Sequence, residues 1–364
     1  MDTRRTFLKN AAGGIAGIIG SQTVPAVLAD MKEIKIGQLG LGGHNFALHF
    51  TRSDATVKNG IRCIPYAFWD DDPDVAARFA RRGFERVCAR PEELVAESDV
   101  VSIEHGDYRR SLELARPALE AGKPVFIDRP FTDTIESAEE IVRLARKHNA
   151  PLMSASSLEF QPVIPEIQRW AQENGPVKSY ASFCPEPMFQ WMFPHAINFA
   201  HAALGGGIES AYFSGDYVIE MGDIRSDGKR WYDPGRSLGC AVSVLTYRSR
   251  NGEPPITGVN HIGPGPGPYN IIVYGASDSR DFVAGQHLDD PMIFQPMFSA
   301  LYDFFVTGTP PRPYEAILEQ HRAHVATAVS HARGKAVRLD ELAGSDSLPY
   351  SESVMVWLKR NVLR

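Results

Sequence analysis

A glycine-rich turn near residue 40 has the composition of a phosphate-binding loop. An apolar run ends at Leu39, and the turn then reads GLGGHN from residue 40 to residue 45. Gly40 permits a tight turn, Gly42 lets a pyrophosphate approach the backbone, and a following helix would present free N–H groups to the phosphates. The turn departs from G-x-G-x-x-G because Asn45 stands at the third glycine position. We predict a dinucleotide site that uses five residues of this turn: Gly40, Gly42, Gly43, His44 and Asn45.

An acidic residue follows the second apolar segment of the chain. The run from Ile61 to Phe68 is followed by Trp69 and then by Asp70. A carboxylate at the end of a second strand can accept hydrogen bonds from both ribose hydroxyls and repels a 2′-phosphate, so Asp70 favours NAD over NADP. The alternative interpretation is a structural strand-turn-helix in which the glycines only permit close packing.

The first 29 residues have the pattern of an export signal. Arg4 and Arg5 lie in the twin-arginine sequence TRRTFLK, a weakly apolar and glycine-rich run follows, and small residues end the segment at Ala29. The apolar run is too short to span a bilayer. We predict that residues 1–29 are a signal for the twin-arginine translocation machinery, which delivers a bacterial protein to the periplasm or the exterior. A disordered segment or an uncleaved anchor is the alternative.

Composition and cysteine spacing exclude several classes of site. The 364 residues are 43% hydrophobic and 23% charged, which suits two globular domains. The net charge of −6 lacks the basic footprint that nucleic-acid binding requires. The four cysteines show no C-x-x-C and indicate buried apolar positions, with a Cys63–Cys88 disulfide as the alternative. We predict no metal site, because His195 and His201 do not share a helix face.

Two patterns of secondary structure divide the mature chain. From residue 32 to residue 155, short β-rich runs alternate with helical runs, which is the rhythm of a doubly wound parallel sheet. From residue 156 to residue 364, strands alternate as in a large, mostly antiparallel open sheet with one covered face. The sequence therefore predicts a Rossmann α/β domain over 32–155 and an α+β domain over 156–364, whose C-terminal helix packs back on the first domain. The predicted strands of the first domain are 34–39, 61–68, 86–88, 100–103, 125–127 and 152–154, and the helices of the second include 163–174, 194–204, 292–306 and 314–332.

The segment from Leu119 to Phe131 carries a family resemblance. It reads LEAGKPVFIDRPF and resembles the EAGKHVLCEKP segment of the Gfo/Idh/MocA oxidoreductase family. The resemblance extends, in order, over the glycine turn, the acid after the second strand, this segment, a helix that carries His195, and the closing residues 307–311. The twin-arginine signal is also similar to those of exported family members. The resemblance implies reversible hydride transfer between a nicotinamide and a sugar, polyol or related hydroxyl carbon, and a homo-oligomer formed through the open sheet.

The residues at the family's catalytic positions differ in this chain. Asp128-Arg129-Pro130 replaces Glu-Lys-Pro, and Trp191 stands four residues before His195, where the family has an aspartate. Hydride removal from a carbinol carbon needs a base for the hydroxyl proton and a cation for the developing oxyanion. Arg129 can supply the cation but cannot shuttle a proton. His195 is the candidate base, because imidazole titrates near neutrality, and a buried structural histidine is the alternative.

The remaining candidates follow from position and residue type. The resemblance places residues 128–130 and the loop after the fourth strand against the cofactor. An aromatic platform, or a basic residue beside a tryptophan, suits a sugar ring and its hydroxyls, whereas core packing and exposed ion pairs are the alternatives. The further cofactor candidates are Asp107, Tyr108, Asp128, Arg129 and Pro130, and the substrate candidates are Trp191, Asn198, Arg230 and Trp231.

Three functions compete at this point. The first is an exported NAD(P)-dependent oxidoreductase for a sugar-derived hydroxyl or carbonyl, with a tightly held cofactor because free NAD is scarce outside the cytoplasm. The second is an NAD-dependent but redox-neutral glycoside hydrolase or lyase, in which transient oxidation acidifies a neighbouring C–H. The third is a degenerate member that binds a ligand without catalysis. Bound nucleotide and a net redox change would separate the three.

Overall fold

A computed structural model describes residues 32–50, 57–185, 188–216, 241–249, 252–263, 268–284 and 293–361. The predicted signal at 1–29 and the substrate candidates Arg230 and Trp231 lie outside the described residues, as does Cys240. Cys63 and Cys88 are buried thiols and form no disulfide with each other, and Cys184 is buried too, as predicted. Within these ranges, no helix combines the length and apolar character needed to cross a membrane.

The first sheet confirms the predicted Rossmann topology. Its order is β2-β3-β1-β5-β6-β7, with β4 paired to β3, and every pair is parallel except β2 with β3. All four residues of β5 are buried, which explains why three of the four are apolar. The direction of winding changes between β1 and β5, which is where open α/β sheets bind ligands. The strands are β1 Lys32–Leu39, β2 Val57–Lys58, β3 Ile61–Trp69, β4 Arg86–Val87, β5 Val100–Ile103, β6 Val125–Ile127 and β7 Leu152–Met153.

The helices of this half begin at recognisable caps. Asp72 accepts hydrogen bonds from the backbone N–H groups of the first turn of α2, and Pro73 occupies the first helical position. Thr134 caps α5 in the same way through the N–H of Ser137. The helices are α1 Phe46–His49, α2 Pro73–Ala80, α3 Pro91–Glu97, α4 Ser111–Glu120 and α5 Ile135–Lys147.

The second sheet is mostly antiparallel, as predicted. Its order is β13-β12-β8-β11-β10-β9-β14, and only β8 and β11 run parallel. Buried and half-buried residues alternate along β10, so that one face packs against helices. The strands are β8 Ser179–Cys184, β9 Ile208–Ser214, β10 Ala241–Tyr247, β11 Thr257–Ile262, β12 Tyr269–Tyr274, β13 Ser279–Ala284 and β14 Val337–Arg338.

The described part of the second half contains five α-helices, and one of them begins earlier than the sequence predicts. The helix that carries His195 starts at Phe189, before the predicted start at Pro194. The preceding turn is held by buried side chains such as Phe189 and Phe193, whose packing outweighs the hydrogen bond that proline removes. The helices are α6 Val163–Glu173, α7 Phe189–Leu204, α8 Gln295–Thr307, α9 Tyr314–Arg333 and α10 Ser353–Asn361.

Candidate active site at the carboxyl edge of the first sheet

The glycine turn lies directly against the loop that follows β5. Gly40 has a φ of +85°, and a Cβ at this position would lie 2.5 Å from the His105 ring. A Cβ at Gly42 would lie 2.0 Å from the carbonyl oxygen of Glu104. At Gly43, by contrast, the nearest neighbour of a Cβ is the ring of Trp191, 4.0 Å away. The first two glycines are therefore required by packing, and the third lies at an open surface.

Asn45 stabilises the turn at the position where the motif has its third glycine. Its φ of 52° is left-handed, a conformation that asparagine tolerates better than most residues. Its Oδ1 accepts hydrogen bonds from the Gly42 N–H (3.2 Å) and from Gln38 Nε2 (2.9 Å), while its Nδ2 donates to the Gly42 carbonyl (2.7 Å). The side chain thus cross-links the turn, so the departure from G-x-G-x-x-G leaves the turn conformation intact.

A buried carboxyl group occupies the beginning of α1. Glu104, which is 2% exposed, accepts a 2.7 Å hydrogen bond from the Phe46 N–H and another from the Ala47 N–H. Its other oxygen accepts from Ser102 Oγ at 2.7 Å. Burial, and then the charge of Asp128, raise the pKa of Glu104 to about 8. The expectation that this helix leaves its N–H groups free for phosphates is therefore wrong for Phe46 and Ala47.

The backbone of the turn still offers donors to an anion. No side chain or carbonyl in the described ranges accepts a hydrogen bond from the N–H of Gly43 or of His44. Because Gly43 is exposed, a phosphate can approach these two groups without a side chain in the way. The structure thus fits a dinucleotide at the turn itself and not at the start of α1.

Asp70, at the end of β3, is hydrogen-bonded to the glycine turn. Its Oδ2 accepts from the Leu41 N–H (3.0 Å) and its Oδ1 from the Asp72 N–H (3.0 Å). Burial raises the pKa of Asp70, while these two backbone groups lower it. Each oxygen keeps a second lone pair, so the carboxylate can also accept from ribose hydroxyls. Asp70 therefore fits the position that the sequence predicts for it.

Tyr108 is buried against the segment that precedes α10. It is 2% exposed, and its hydroxyl donates to the carbonyl of Pro349. The carboxylate of Asp107 binds Arg109, whose guanidinium also contacts Glu352 (2.7 Å). Asp107, through Arg109, and Tyr108 thus anchor the segment that precedes α10, a contact that the sequence does not indicate. Their role in cofactor binding stays a prediction.

Helix α10 covers the edge of the first sheet beside the turn. A Cβ at Gly106, in the loop after β5, would lie 2.1 Å from the side chain of Leu358, which is fully buried. Lys359 forms an ion pair of 2.9 Å with Asp72, after β3. The ring of Trp357 lies edge-on to that of Trp191, with centroids 6.2 Å apart. The helix therefore joins the loops after β3 and β5 to α7.

Asp128 and Arg129 meet the turn from the loop after β6. His44 Nδ1 lies 2.7 Å from Asp128 Oδ2, and Arg129 Nη2 lies 3.0 Å from His44 Nε2. The other arm of the guanidinium donates to the carbonyl of Trp191 in α7. The peptide bond between Arg129 and Pro130 is cis. Arg129 thus holds the first domain against the helix that carries His195.

His195 lies in the same cluster but is deeply buried. It is 2% exposed, and its Nδ1 is 2.5 Å from the hydroxyl of Ser156. Burial, and then the positive charge of Arg129, hold its pKa well below 6.5. His195 is consequently neutral at pH 7 and is only a weak proton acceptor.

A second buried carboxylate positions the residues around His195. The side chain of Glu159 is inaccessible to solvent and accepts from the Ser156 N–H (2.8 Å), Asn198 Nδ2 (2.7 Å), Gln320 Nε2 (3.2 Å) and Arg312 Nε (3.2 Å). The amide of Asn198 thus donates one hydrogen bond to Glu159, and its role as a substrate residue stays a prediction. Trp191 remains at the rim of the cleft, half-buried between Gly43 and Trp357.

Sequence reasoning missed the roles of three residues. Glu104 directly follows the fully buried strand β5, and a charged residue at that position is a signal that could have been used. Ser156 and Glu159 form a capping box, and S-x-x-E is a recognised helix-start pattern. Their connection to His195 and Asn198 depends on the tertiary fold, so no local pattern reveals it.

Comparison with known proteins agrees with the Rossmann fold of the first half. Residues 34–156 match the GFO_IDH_MocA family, described as an oxidoreductase family with an NAD-binding Rossmann fold. An uncharacterized protein of Saccharomyces cerevisiae is 26% identical over 129 residues, and this match covers 32% of the present chain but only 37% of the yeast protein.

Solved structures share the fold over most of the chain. A probable dehydrogenase from Thermotoga maritima is 18% identical with a TM-score of 0.67, and the match covers 85% of this chain and 100% of the other. The scyllo-inositol dehydrogenase of Lactobacillus casei with NAD(H) and scyllo-inositol is 17% identical, with a TM-score of 0.66 and coverage of 85% and 100%. Levoglucosan dehydrogenase with NADH and levoglucosan is 14% identical, with a TM-score of 0.66 and coverage of 84% and 99%. Residues 34–156 of this chain therefore match the NAD-binding Rossmann fold of the GFO_IDH_MocA oxidoreductase family, and solved dehydrogenases share the fold of most of the chain.

Proposed function

We propose that the protein transfers hydride between NAD and the hydroxyl-bearing carbon of a sugar, a polyol or a related compound. The observation that carries the proposal is the meeting of Arg129, His44 and Trp191 at the open side of the glycine turn. A fixed cation, an imidazole and an indole beside a dinucleotide loop suit a ligand that is rich in hydroxyl groups. The neighbouring structures that contain scyllo-inositol and levoglucosan support the same class of substrate.

The residues around the glycine turn would each have a distinct role in binding the cofactor or the substrate. When bound, NAD would supply the hydride acceptor or donor. The N–H groups of Gly43 and His44 would hold its phosphates, and Asp70 would bind the ribose of its adenosine half. Arg129 is held in place by the Trp191 carbonyl, so its second arm is preorganised to stabilise negative charge on a substrate oxygen. The buried, neutral His195 borders the same space.

The first experiment is to ask whether the purified protein carries nucleotide. The folded protein is denatured, and the supernatant is assayed for NAD and NADP by absorbance and mass. We expect stoichiometric NAD, followed by reduction of the bound cofactor on addition of scyllo-inositol, levoglucosan or another member of a polyol and sugar panel. A protein that neither contains nor binds NAD would refute the proposal. Cleavage of a glycoside without net redox change would favour the hydrolase or lyase alternative.

We also propose that the protein is exported with its cofactor already bound. The twin-arginine pattern at residues 4–5 supports this proposal, because that route carries folded proteins. Fractionation of a bacterial host should find the protein in the periplasm, and replacing both arginines by lysine should retain it in the cytoplasm. Equal distribution of the two forms would argue against export by this route.

A further inference from the structure

The protonation of His44 follows from its two partners. Arg129 Nη2, 3.0 Å from His44 Nε2, can only donate, so Nε2 of the ring must be the acceptor. The ring proton therefore resides on Nδ1 and is donated to Asp128 Oδ2, 2.7 Å away. The other carboxylate oxygen, Oδ1, accepts the Arg129 backbone N–H at 2.8 Å, which fixes the orientation of the carboxylate. This carboxylate–imidazole pair is the arrangement that orients a histidine as a general base.

The pair is ionised and oriented in the way that a base requires. Burial acts to raise the pKa of Asp128, but the hydrogen bond from His44 and the positive charge of Arg129 outweigh burial, so the pKa lies below its usual value. Asp128 is therefore an anion near neutrality and stabilises the imidazolium that forms when His44 accepts a proton.

His44 is also the more accessible of the two histidines in the cluster. Its side chain is 20% exposed, whereas His195 is 2% exposed and its Nδ1 contacts Ser156. The His44 ring stacks on Phe46 at 4.8 Å and lies 5.6 Å from Phe294. Aromatic rings thus fix its plane, while the Nε2 edge faces Arg129.

His44 Nε2 can act as a base once a substrate hydroxyl takes the place of its hydrogen bond from Arg129 Nη2. A substrate hydroxyl that enters between Arg129 Nη2 and His44 Nε2 replaces their direct contact with two hydrogen bonds. Its oxygen accepts from the guanidinium, and its proton is donated to Nε2. The exchange leaves every polar group in the cluster with a partner, so it carries little electrostatic cost.

Building on the proposed function, we infer that His44 is the proton acceptor of the reaction, with Asp128 as its positioning residue and Arg129 as the stabiliser of the substrate oxygen. In the oxidation, the carbinol C–H bond breaks and its electron pair leaves with the hydrogen as hydride for oxidised NAD. The hydroxyl proton passes to His44 Nε2, and the C–O bond becomes a carbonyl. Arg129 stands where the family has a lysine, and it cannot accept a proton. His44, in the glycine turn, supplies the proton acceptor instead.

The test compares three histidine variants of the full-length protein. In His44→Gln, we expect single-turnover reduction of bound NAD by the identified sugar or polyol to fall by about 10²- to 10⁴-fold and to lose its pH dependence. NAD binding, measured separately by calorimetry, should change little. His195→Gln should keep the pH dependence. His49→Gln is the matched control, since it removes a neighbouring imidazole whose ring contacts the His44 carbonyl and the rings of Phe46 and Phe298.

A second measurement does not depend on turnover. In protein labelled with ¹⁵N-histidine, the His44 resonance, assigned by its loss in His44→Gln, should show the Nδ1–H tautomer at pH 7. The groups that face this ring are Asp128 and Arg129 after β6, His195 from α7, and Glu104 behind Asp128.

The outcomes separate the two proposals. A His44→Gln variant that retains the pH dependence and loses less than about tenfold in rate refutes the role of His44 while the proposed function stands. An Nε2–H tautomer, or a doubly protonated ring at pH 7, also refutes it. A wild-type protein that binds NAD but oxidises no sugar or polyol refutes both.

Discussion

Glu104 is an acid whose ionisation should oppose folding. Its pKa is raised from 4.5 to about 8 by burial and then by Asp128, so between these pH values the folded chain binds more protons than the unfolded chain. The free energy of unfolding should therefore fall as pH rises from about 4.5 to about 8, by at most about 1.4 kcal/mol per pH unit. Denaturant titrations across this range should show the slope in the wild type and a flatter profile in Glu104→Gln.

The matched control for Glu104 is a carboxylate at the surface. Glu352 is 74% exposed, and Glu352→Gln should leave the slope as in the wild type. Identical pH profiles for wild type and Glu104→Gln would show that Glu104 is ionised throughout. The hydrogen bonds from Phe46 and Ala47 would then stabilise an anion and not a neutral acid.

The glycines of the turn should differ in their tolerance of a methyl group. Gly42→Ala would place Cβ 2.0 Å from the backbone oxygen of Glu104, so the turn and the loop after β5 must separate. We expect a loss of about 1–3 kcal/mol in unfolding free energy and a loss of NAD binding. Gly43→Ala, whose Cβ has no neighbour closer than 4.0 Å, should fold as the wild type does. Thermal unfolding and calorimetric NAD titration would measure both, and equal effects would contradict the geometry.

At the scale of elements, α10 should control the exchange of bound nucleotide. Leu358 is fully buried against Gly106, whereas the ion pair of Lys359 with Asp72 is about two-fifths exposed. In Leu358→Ala, we expect the free energy of unfolding, or of docking of α10, to fall by about 2–5 kcal/mol. Bound NAD should then dissociate faster. Lys359→Ala should change stability by less than about 1 kcal/mol, because exposed ion pairs contribute little. Stopped-flow displacement of bound NAD gives the rates, and equal release from both variants would exclude α10 as a cover.

Elements were more predictable than the contacts between them. The six strands predicted for the first sheet are present, because alternation and β-branched runs are local properties. The start of α7 was missed, since proline is a common first helical residue and the packing of Phe189 is not visible in sequence. Within the site, the open backbone at Gly43 follows from its residue type. The partners of Glu104, Tyr108 and Asn198 come from segments up to 241 residues away, which no local pattern encodes.

At the scale of the molecule, the two sheets share one apolar core. The same buried cluster includes Ile36 and Phe46 from the first half and Phe199 and Phe298 from the second. Tyr302 of α8 adds polar contacts, since its hydroxyl binds the carbonyls of Lys58 (2.7 Å) and Ile61 (2.9 Å). The halves should therefore unfold together.

A cooperative transition is the measurable consequence of the shared core. Far-ultraviolet circular dichroism and tryptophan fluorescence should give coincident denaturant curves, and the calorimetric enthalpy should equal the van't Hoff value. Tyr302→Phe should lower the midpoint without splitting the transition, because one hydrogen-bonding group contributes about 1 kcal/mol. Two separated transitions in the wild type would show that the halves are energetically independent.

The position of α10 also sets an order of events during synthesis. Lys359 is added 287 residues after its partner Asp72. At about 5–20 residues per second, the glycine turn and the loop after β3 leave the ribosome roughly 15–60 s before the helix that covers them. Throughout that interval the nascent first half presents an uncovered cleft in the compartment where NAD is plentiful. NAD can therefore bind before α10 covers the cleft, because the rate of translation delays the synthesis of α10.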